Sequence, residues 1–590
     1  MRQPRLRTAL VAAALVALVE GGARARLARA GAPSRPPLRR ARPAAAASAE
    51  PSLAQTRVAI AGGGVGGLFA ALCLLKKGFD VTVYERTDAF KRFGGPIQLA
   101  SNALSTFHAV DPQLLARVMG KFTYTGTRAC GIKDGLRSKG FAMGGDNLAY
   151  LWDPSVGADW YVRFPLKPCA DLWNLPYTGV IDRPDLQEIL LDACRALKPD
   201  FIRNGEAVLS YAQPAAPGGD GGVTLTLASG ATAAADVLVG CDGIWSSVRS
   251  QMYGETRGEL RKGGRERQGC TYSGYTVFAG ETVLPLPDYY ECGYKVYIGP
   301  KRYFVTSDVG GGRVQWYSFF ATEPGMKRAR SGWGADGGAG GASADGVVGY
   351  LKGLHAGWSD EVHAVLDATS DASIEQRDLY DRRPELFRSW SDGAVTLLGD
   401  AVHPMMPNLG QGGCQAIEDA YVLAETLAAA LEPAALDALA DVPGAPGADG
   451  GGLSASAARG AAVRGALQRY YKARIARASA VQILSRLASD LIINLFDTPW
   501  SPHDDKGTDW KSYLTFFWKP VLQYLVFPAQ FAFLYAFAPS GRMGALPAQL
   551  EAAWKERHRA EAEAAFEHAR GLGSATAAAQ DGPKASFISE

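Results

Sequence analysis

Two glycine-rich runs and three carboxylates are the residues best placed to hold a phosphorylated cofactor. Gly62-Gly63-Gly64-Val65-Gly66-Gly67 fits GxGxxG and stands between a β-branched strand, RVAIA, and an apolar helix, GLFAALCLLKKG. In that setting Gly62 permits a tight turn, Gly64 lets the backbone approach a pyrophosphate, and Gly67 allows close helix–strand contact. Free N–H groups and partial positive charge at the helix start then face the phosphates. Glu85, followed by Arg86, ends the next strand, DVTVYER, where a carboxylate can accept hydrogen bonds from an adenosine ribose. Far along the chain, VTLLGDAVHPMMPNLGQGGCQAIEDAYVLAETL joins a strand, Gly399-Asp400, a Pro-rich turn and a helix entered through Gly412, Gly413 and Cys414. Asp400 can hold ribityl hydroxyls there. The helix start can aim N–H groups at the edge of a flavin where negative charge develops on reduction. The pair of runs favours FAD over a nicotinamide as the resident dinucleotide.

Between them, DVLVGCDGIWSSVR delivers Asp242-Gly243 to a strand-end turn with capping serines, and VIDRPDLQEIL sets Arg183 before a helix-starting proline. The Arg183 guanidinium can meet cofactor phosphates or the ribityl chain, or it is a surface arginine. His403 is either a participant in the chemistry or a structural part of the Gly-Asp turn. Eight scattered cysteines without a CxxC pair read as buried thiols rather than a zinc site or disulfide framework. The formal charge of +3 and the lack of a long basic stripe beyond the first fifty residues exclude nucleic acid as an expected partner.

These residues need a scaffold. The strand–Gly loop–helix–strand unit from Thr56 opens a doubly wound sheet. Aromatic and β-branched segments between Cys270 and Phe320 (TYSGYTVF, YKVYIG, RYFVTSDVG, VQWYSFF) read as antiparallel strands of a second sheet. The expected architecture is α/β: a Rossmann-like FAD-binding domain interleaved with an antiparallel-sheet substrate domain, followed by a C-terminal helical region. Residues 53–435 form the core, with FAD-binding parts at 56–110, 180–250 and 390–430 and the substrate sheet at 265–385. A Gly/Ala-rich loop (436–462) leads to a helical tail (463–590). Residues 1–52 combine a short apolar run with a basic, acid-free stretch and read as a targeting segment, organellar and in particular plastid. Trp510–Pro539 is long enough to cross a bilayer, but Lys519, Pro520 and Pro528 interrupt it, which favours attachment along the membrane surface over a span; the alternative is that these helices pack onto the catalytic core.

GxGxxG, Asp-Gly and Gly-Asp in this order resemble the single-component aromatic-hydroxylase class of flavoprotein monooxygenases. Within it, GGPIQLASNAL, CTYSGYTVFAG, YFVTSDVG, VQWYSFF and NLGQGGCQAIED resemble the zeaxanthin epoxidases of plastids. Cys414 stands where most of the wider class has Asn, a swap the epoxidases share, while the forkhead-associated module of many plant members is not recognisable. The resemblance implies FAD that is reduced, meets O2 and forms a C4a-hydroperoxide. An oxygen then goes to the ring double bond of a xanthophyll, zeaxanthin to antheraxanthin to violaxanthin. It also implies NAD(P)H or reduced ferredoxin as electron donor, with residence on the stromal side of the thylakoid membrane. Such a reaction needs no protein base. The alternatives are a flavin hydroxylase or epoxidase of another apolar ring, and a non-catalytic carotenoid-binding flavoprotein.

Overall fold

The computed structural model describes residues 53–90, 95–135, 160–214, 222–256, 260–261, 265–326, 330–331, 346–440, 454–494 and 521–580. The expected targeting segment lies outside them, as do most of the three Gly/Ala-rich insertions and residues 510–520 of the apolar tail.

Strand β1 (Arg57–Ala61) runs through the glycine loop into helix α1 (Val65–Lys76), which returns to β2 (Asp80–Glu85). Helices α2 (Ser101–Val110), α3 (Leu166–Trp173) and α4 (Arg183–Leu197) follow, then β3 (Ile202–Asn204), β4 (Val237–Gly240) and α5 (Ser247–Tyr253). The second sheet is built on β5 (Cys270–Val283), β6 (Cys292–Gly299), β7 (Arg302–Asp308), β8 (Arg313–Ala321) and β9 (Glu375–Asp381). The chain then re-enters the first sheet as β10 (Val395–Leu397), crosses into α6 (Gly412–Ala430), and ends in α7 (Ala455–Asn494), α8 (Phe527–Tyr535) and α9 (Ala548–Gln580).

The first sheet has the order Ser391–Asp392, β10, β4, β1, β2, β3, and all its pairings are parallel except the short edge strand Ser391–Asp392. Such strands are covered on both faces, which is why β4 and β10 are apolar or small and wholly buried. Helix α1 is buried continuously from Gly67 to Leu74 because it lies between the sheet and helices α4 and α6. Parallel sheets bind ligands at the carboxyl ends of their strands. Here β10, β4 and β1 are neighbours, and they deliver Gly399-Asp400, Asp242-Gly243 and the GxGxxG loop respectively to that edge.

The second sheet runs β9, β5, β8, β7, β6 in antiparallel pairs, then continues through Ala129–Asp134, which joins β6 in parallel, and Trp160–Arg163. The parallel joint departs from the purely antiparallel expectation. It arises because Ala129–Asp134 comes from an earlier part of the chain and cannot pair with β6 through a hairpin. Period-2 alternation divides this sheet into two faces. Phe278, Tyr297, Phe304 and Trp316 pack into a core with Leu351 and Val362 from two overlying helices. On the opposite face Tyr275, Val277, Ile298, Tyr303 and Phe319 pack with Met406 of the Pro-rich turn.

The C-terminal region is helical, but its limits differ from expectation. The loop expected at 436–462 includes the end of a helix at Pro433–Ala440 and the first turns of α7, since an alanine-rich run is a strong helix former. The apolar run from Ala480 belongs to the 40-residue α7. Helix α8, expected to lie on a membrane, packs Phe531, Phe533, Leu534 and Tyr535 into the main core. No helix among the described residues is long and apolar enough to cross a membrane. Seven thiols are buried and Cys241 is partly exposed.

Candidate functional site

The glycine loop fits its role atom by atom. Gly62 has φ +103°, and a Cβ there would lie 2.5 Å from the carbonyl oxygen of Cys241; one on Gly67 would lie 2.0 Å from that of Gly62. Gly64, by contrast, has nothing within 4 Å of a Cβ position, and as N-cap of α1 it offers no side chain to the helix start. The loop is therefore pressed against β4 on one side and open on the other. Glu85 fixes it there: Oε2 accepts the Gly63 N–H at 2.6 Å, and Oε1 accepts the Thr87 N–H at 2.9 Å and its hydroxyl at 3.0 Å. Glu85 is thus at the expected strand end, bound to the loop itself. Arg86 points outward and is exposed.

The second glycine run is built on the same logic. Gly399 adopts φ +62°, Gly413 abuts the Ile97 side chain, and a Cβ on Gly412 would have only Asp400 Oδ1, at 3.8 Å, and Met405, at 4.0 Å, nearby. Helix α6 starts after Gln411 without a side-chain cap, so its first N–H groups face the same space as Asp400. Asp400 is reached by water yet walled in by protein. Burial raises its carboxyl, against the pull of His403 and Arg183. Arg183, the first residue of α4, is lowered by burial and by Arg377, and is supported by Tyr317 and Asp400. Arg183 and Asp400, from distant parts of the chain, lie within electrostatic reach of each other. Asp242 has a double role. Its Oδ2 accepts the N–H groups of Ser247 (2.6 Å) and Val248 (3.3 Å), capping α5 beside Ser246, while Oδ1 is buried without a hydrogen-bond partner among the described residues. Gly243 takes φ +76° with open space at its Cβ position.

Two uncapped glycine helix starts, a walled-in carboxylate, an adjacent guanidinium and an orphaned buried oxygen converge on the carboxyl edge of one parallel sheet. That donor set fits FAD: N–H groups for the pyrophosphate and the flavin edge, carboxylates for hydroxyls.

Opposite stands a wall made by pairing register. Val277, Phe319, Tyr303 and Ile298 form one rung across β5, β8, β7 and β6; Ala279, Tyr317, Val305 and Val296 form the next. Tyr303 stacks on Phe319 at 4.3 Å between ring centroids, and its hydroxyl donates to Asn408 Oδ1 at 2.9 Å, tying the wall to the Pro-rich turn. Tyr317 stands beside Arg183 and Arg377, so the second rung meets the polar end of the cradle. A third rung, Glu281, Gln315, Ser307 and Tyr294, is polar except for the last.

The residues behind α6 were not legible as a set. Arg474 of α7, wholly buried, donates to Asp419 Oδ1 at 2.7 Å, to Glu418 Oε2 at 2.6 Å and to Gln415 Oε1 at 2.8 Å. Arg477 holds both oxygens of Glu418. Asp419 also accepts the Gly399 N–H at 3.1 Å and bonds His403 Nε2 at 2.6 Å. Burial alone would raise the Asp419 carboxyl, but His403 and Arg474 hold it at about 2. His403 thus belongs to this lock, with Nε2 engaged by Asp419. The one signal in the sequence was Glu418-Asp419 within an apolar helix, two adjacent charges that need buried partners. Cys414 is likewise inward: its thiol, raised to about 12 by burial, contacts the backbone of Gln98, Ala100 and Gly410. Its side chain therefore sets the helix start and does not face the cleft.

Comparison with known proteins agrees with this geometry. A family model described as an FAD binding domain matches residues 360–442, which include the Gly-Asp turn and α6. Among solved structures, Klebsiella pneumoniae HpxO complexed with FAD and uric acid superposes with a TM-score of 0.57 at 21% identity, covering 82% of this chain and 97% of that one. A salicylate hydroxylase substrate complex superposes with a TM-score of 0.52 at 20% identity, covering 82% and 98%. The fold is that of the FAD-binding monooxygenases. In sequence the chain is similar in particular to chloroplastic zeaxanthin epoxidases. It is 39% identical to that of Spinacia oleracea over 63% of this chain and 47% of the relative, and 36% identical to that of Oryza sativa over 78% and 58%. The enzyme of Arabidopsis thaliana is 40% identical over 61% and 46%. The chain spans about half the length of these relatives.

Proposed function

We propose that this protein is an FAD-dependent monooxygenase that epoxidises the ring double bond of a xanthophyll, converting zeaxanthin to antheraxanthin and violaxanthin. The observation that carries the reading is the juxtaposition of a dinucleotide cradle and two almost wholly apolar rungs of sheet, joined through Arg183 and Tyr317. A phenol or carboxylate substrate would want charged or basic partners on that wall; an isoprenoid ring wants Val277, Ile298, Val305 and Phe319. The chemistry is balanced by one oxygen of O2 entering the alkene, the other leaving as water, with two electrons and two protons drawn from the donor and solvent. Bound FAD supplies the redox and oxygen chemistry.

The chain supplies the rest. Glycine N–H groups and Asp400 would hold the cofactor, and Arg183 would supply positive charge to it. The rungs exclude water from the reacting alkene. No proton leaves an alkene on epoxidation, which agrees with a His403 committed to Asp419. Reducing equivalents come from transiently bound NAD(P)H or reduced ferredoxin.

A plastid address, with the protein peripheral to the stromal face of the thylakoid membrane, suits such a substrate. Contact with a membrane is supported by an exposed apolar strip: Leu172 is 79% exposed, Leu525 66%, Tyr524 54% and Phe537 50%. Arg542 lies over the rings of both Trp173 and Phe537, so the strip has a basic rim. Loss of turnover on every xanthophyll in a purified panel, with FAD bound and donor present, would overturn the reaction. Leu172→Asp combined with Leu525→Asp should abolish flotation with liposomes while FAD content stays unchanged; undiminished flotation would refute the contact surface.

A further inference from the structure

Beyond the wall, a second aromatic feature has no place in the flavin cradle. Tyr294, the apolar end of the third rung, has its ring 5.9 Å from Phe164, and Phe164 lies 5.0 Å from Phe527 and 6.2 Å from Phe531 of α8. Phe527 directly follows Tyr524, Leu525 and Val526 of the exposed strip. Phe164, Tyr294 and Phe527 are each only partly covered, whereas Phe531 and Tyr535 are buried beneath them. The three half-covered rings pack against the main core and keep faces open to an apolar ligand.

The row is held at a set distance from the cradle. Arg477 donates to the carbonyls of Phe533 and Leu534, both at 2.8 Å, in the last turn of α8, where carbonyls lack helical partners. The same guanidinium grips Glu418 of α6. Helix α8 is therefore keyed to the helix whose start faces the flavin site.

We infer that Tyr294, Phe164 and Phe527 form a specificity-determining channel that seats the long polyene chain of the substrate, with Phe531 backing it, while the reacting ring lies against the rungs. This rests on the reading above for the identity of the substrate. The occupant is a rigid, flat, apolar chain, because the rings of Phe527, Phe164 and Tyr294 join the exposed strip to the strand that carries Val296 and Ile298 of the wall. Flat aromatic faces meet a conjugated chain with little entropy loss. The tail thereby selects substrate length, and the sheet selects the ring.

The test compares FAD-loaded wild type with Phe527→Ala and Phe527→Leu in mixed micelles, using zeaxanthin and a single-ring analogue lacking the polyene. Dissociation constants come from quenching of tryptophan fluorescence, and KM and kcat from product formation. Phe527→Ala should raise the zeaxanthin dissociation constant and KM by about tenfold, as expected for losing part of an aromatic contact. Its kcat, FAD affinity and affinity for the single-ring analogue should hold, and Phe527→Leu should recover most of the loss. Equal weakening for both ligands, or no weakening for zeaxanthin, would overturn the channel. Length-dependent binding without any turnover by the wild type would leave the channel standing and refute the proposed reaction.

Discussion

Arg474 Nε lies 2.7 Å from Asp419 Oδ1, with both side chains wholly buried, and this contact fastens the tail helix α7 to the helix that faces the flavin site. Removing one partner of such a pair leaves an uncompensated buried charge. Arg474→Met should therefore cost about 3–5 kcal/mol of stability, read as a lowered denaturant midpoint, and truncation anywhere before α7 should fail to give folded protein. A midpoint unchanged in Arg474→Met would show the lock to be dispensable.

Asp400 should govern cofactor affinity. Asp400→Ala removes charge-assisted hydrogen bonds to a hydroxylated chain and should weaken FAD binding by about 1.5–3 kcal/mol, measured by titrating apoprotein with FAD. Full occupancy at unchanged affinity would remove Asp400 from the cradle.

The glycines should divide into two kinds. Gly67→Ala places a methyl 2.0 Å from the Gly62 carbonyl oxygen, so the protein itself should be destabilised. Gly412→Ala meets no protein atom nearer than 3.8 Å, so thermal stability of the apoprotein should hold while FAD affinity drops. Equal loss of apoprotein stability in both variants would contradict an open site before Gly412.

Acid should loosen the tail. Burial alone would raise Asp308, but Arg128 at 2.6 Å and His558 of α9 at 3.0 Å hold its carboxyl at about 2. Asp419 is depressed likewise. A depressed carboxylate stabilises the fold fully above its unfolded pKa of about 4, and that contribution is lost as pH falls through the folded value. Stability should thus fall between about pH 4 and pH 2, with Asp308→Asn flattening part of the slope. An identical slope in that variant would exclude Asp308 as a source.

The cradle was legible because phosphate-binding glycines are dictated by backbone approach, which local sequence records: Gly62, Gly64 and Gly67 needed only a strand before them and a helix after. The doubly wound sheet followed from the same unit. Glu418, Asp419, Arg474 and Arg477 were not legible, since their partners lie on different helices and nothing local fixes which charges meet. Hydrophobicity in the tail cannot tell a helix buried on a protein core from one lying on a membrane. Helix α8 does the first with Phe531 and Leu534, while the turn just before it leaves Tyr524 and Leu525 exposed. The parallel joint at β6 was hidden because strand pairing between distant segments has no local pattern.

The central claim is oxygen transfer from O2 to a xanthophyll ring by the FAD-loaded protein. It is tested most directly by supplying zeaxanthin, a reducing donor and isotopically labelled O2, then reading the product mass. The expected result is antheraxanthin and then violaxanthin, each new epoxide carrying label and none forming without FAD or O2. Product labelled only from water, or zeaxanthin recovered unchanged by fully FAD-loaded protein, would contradict it.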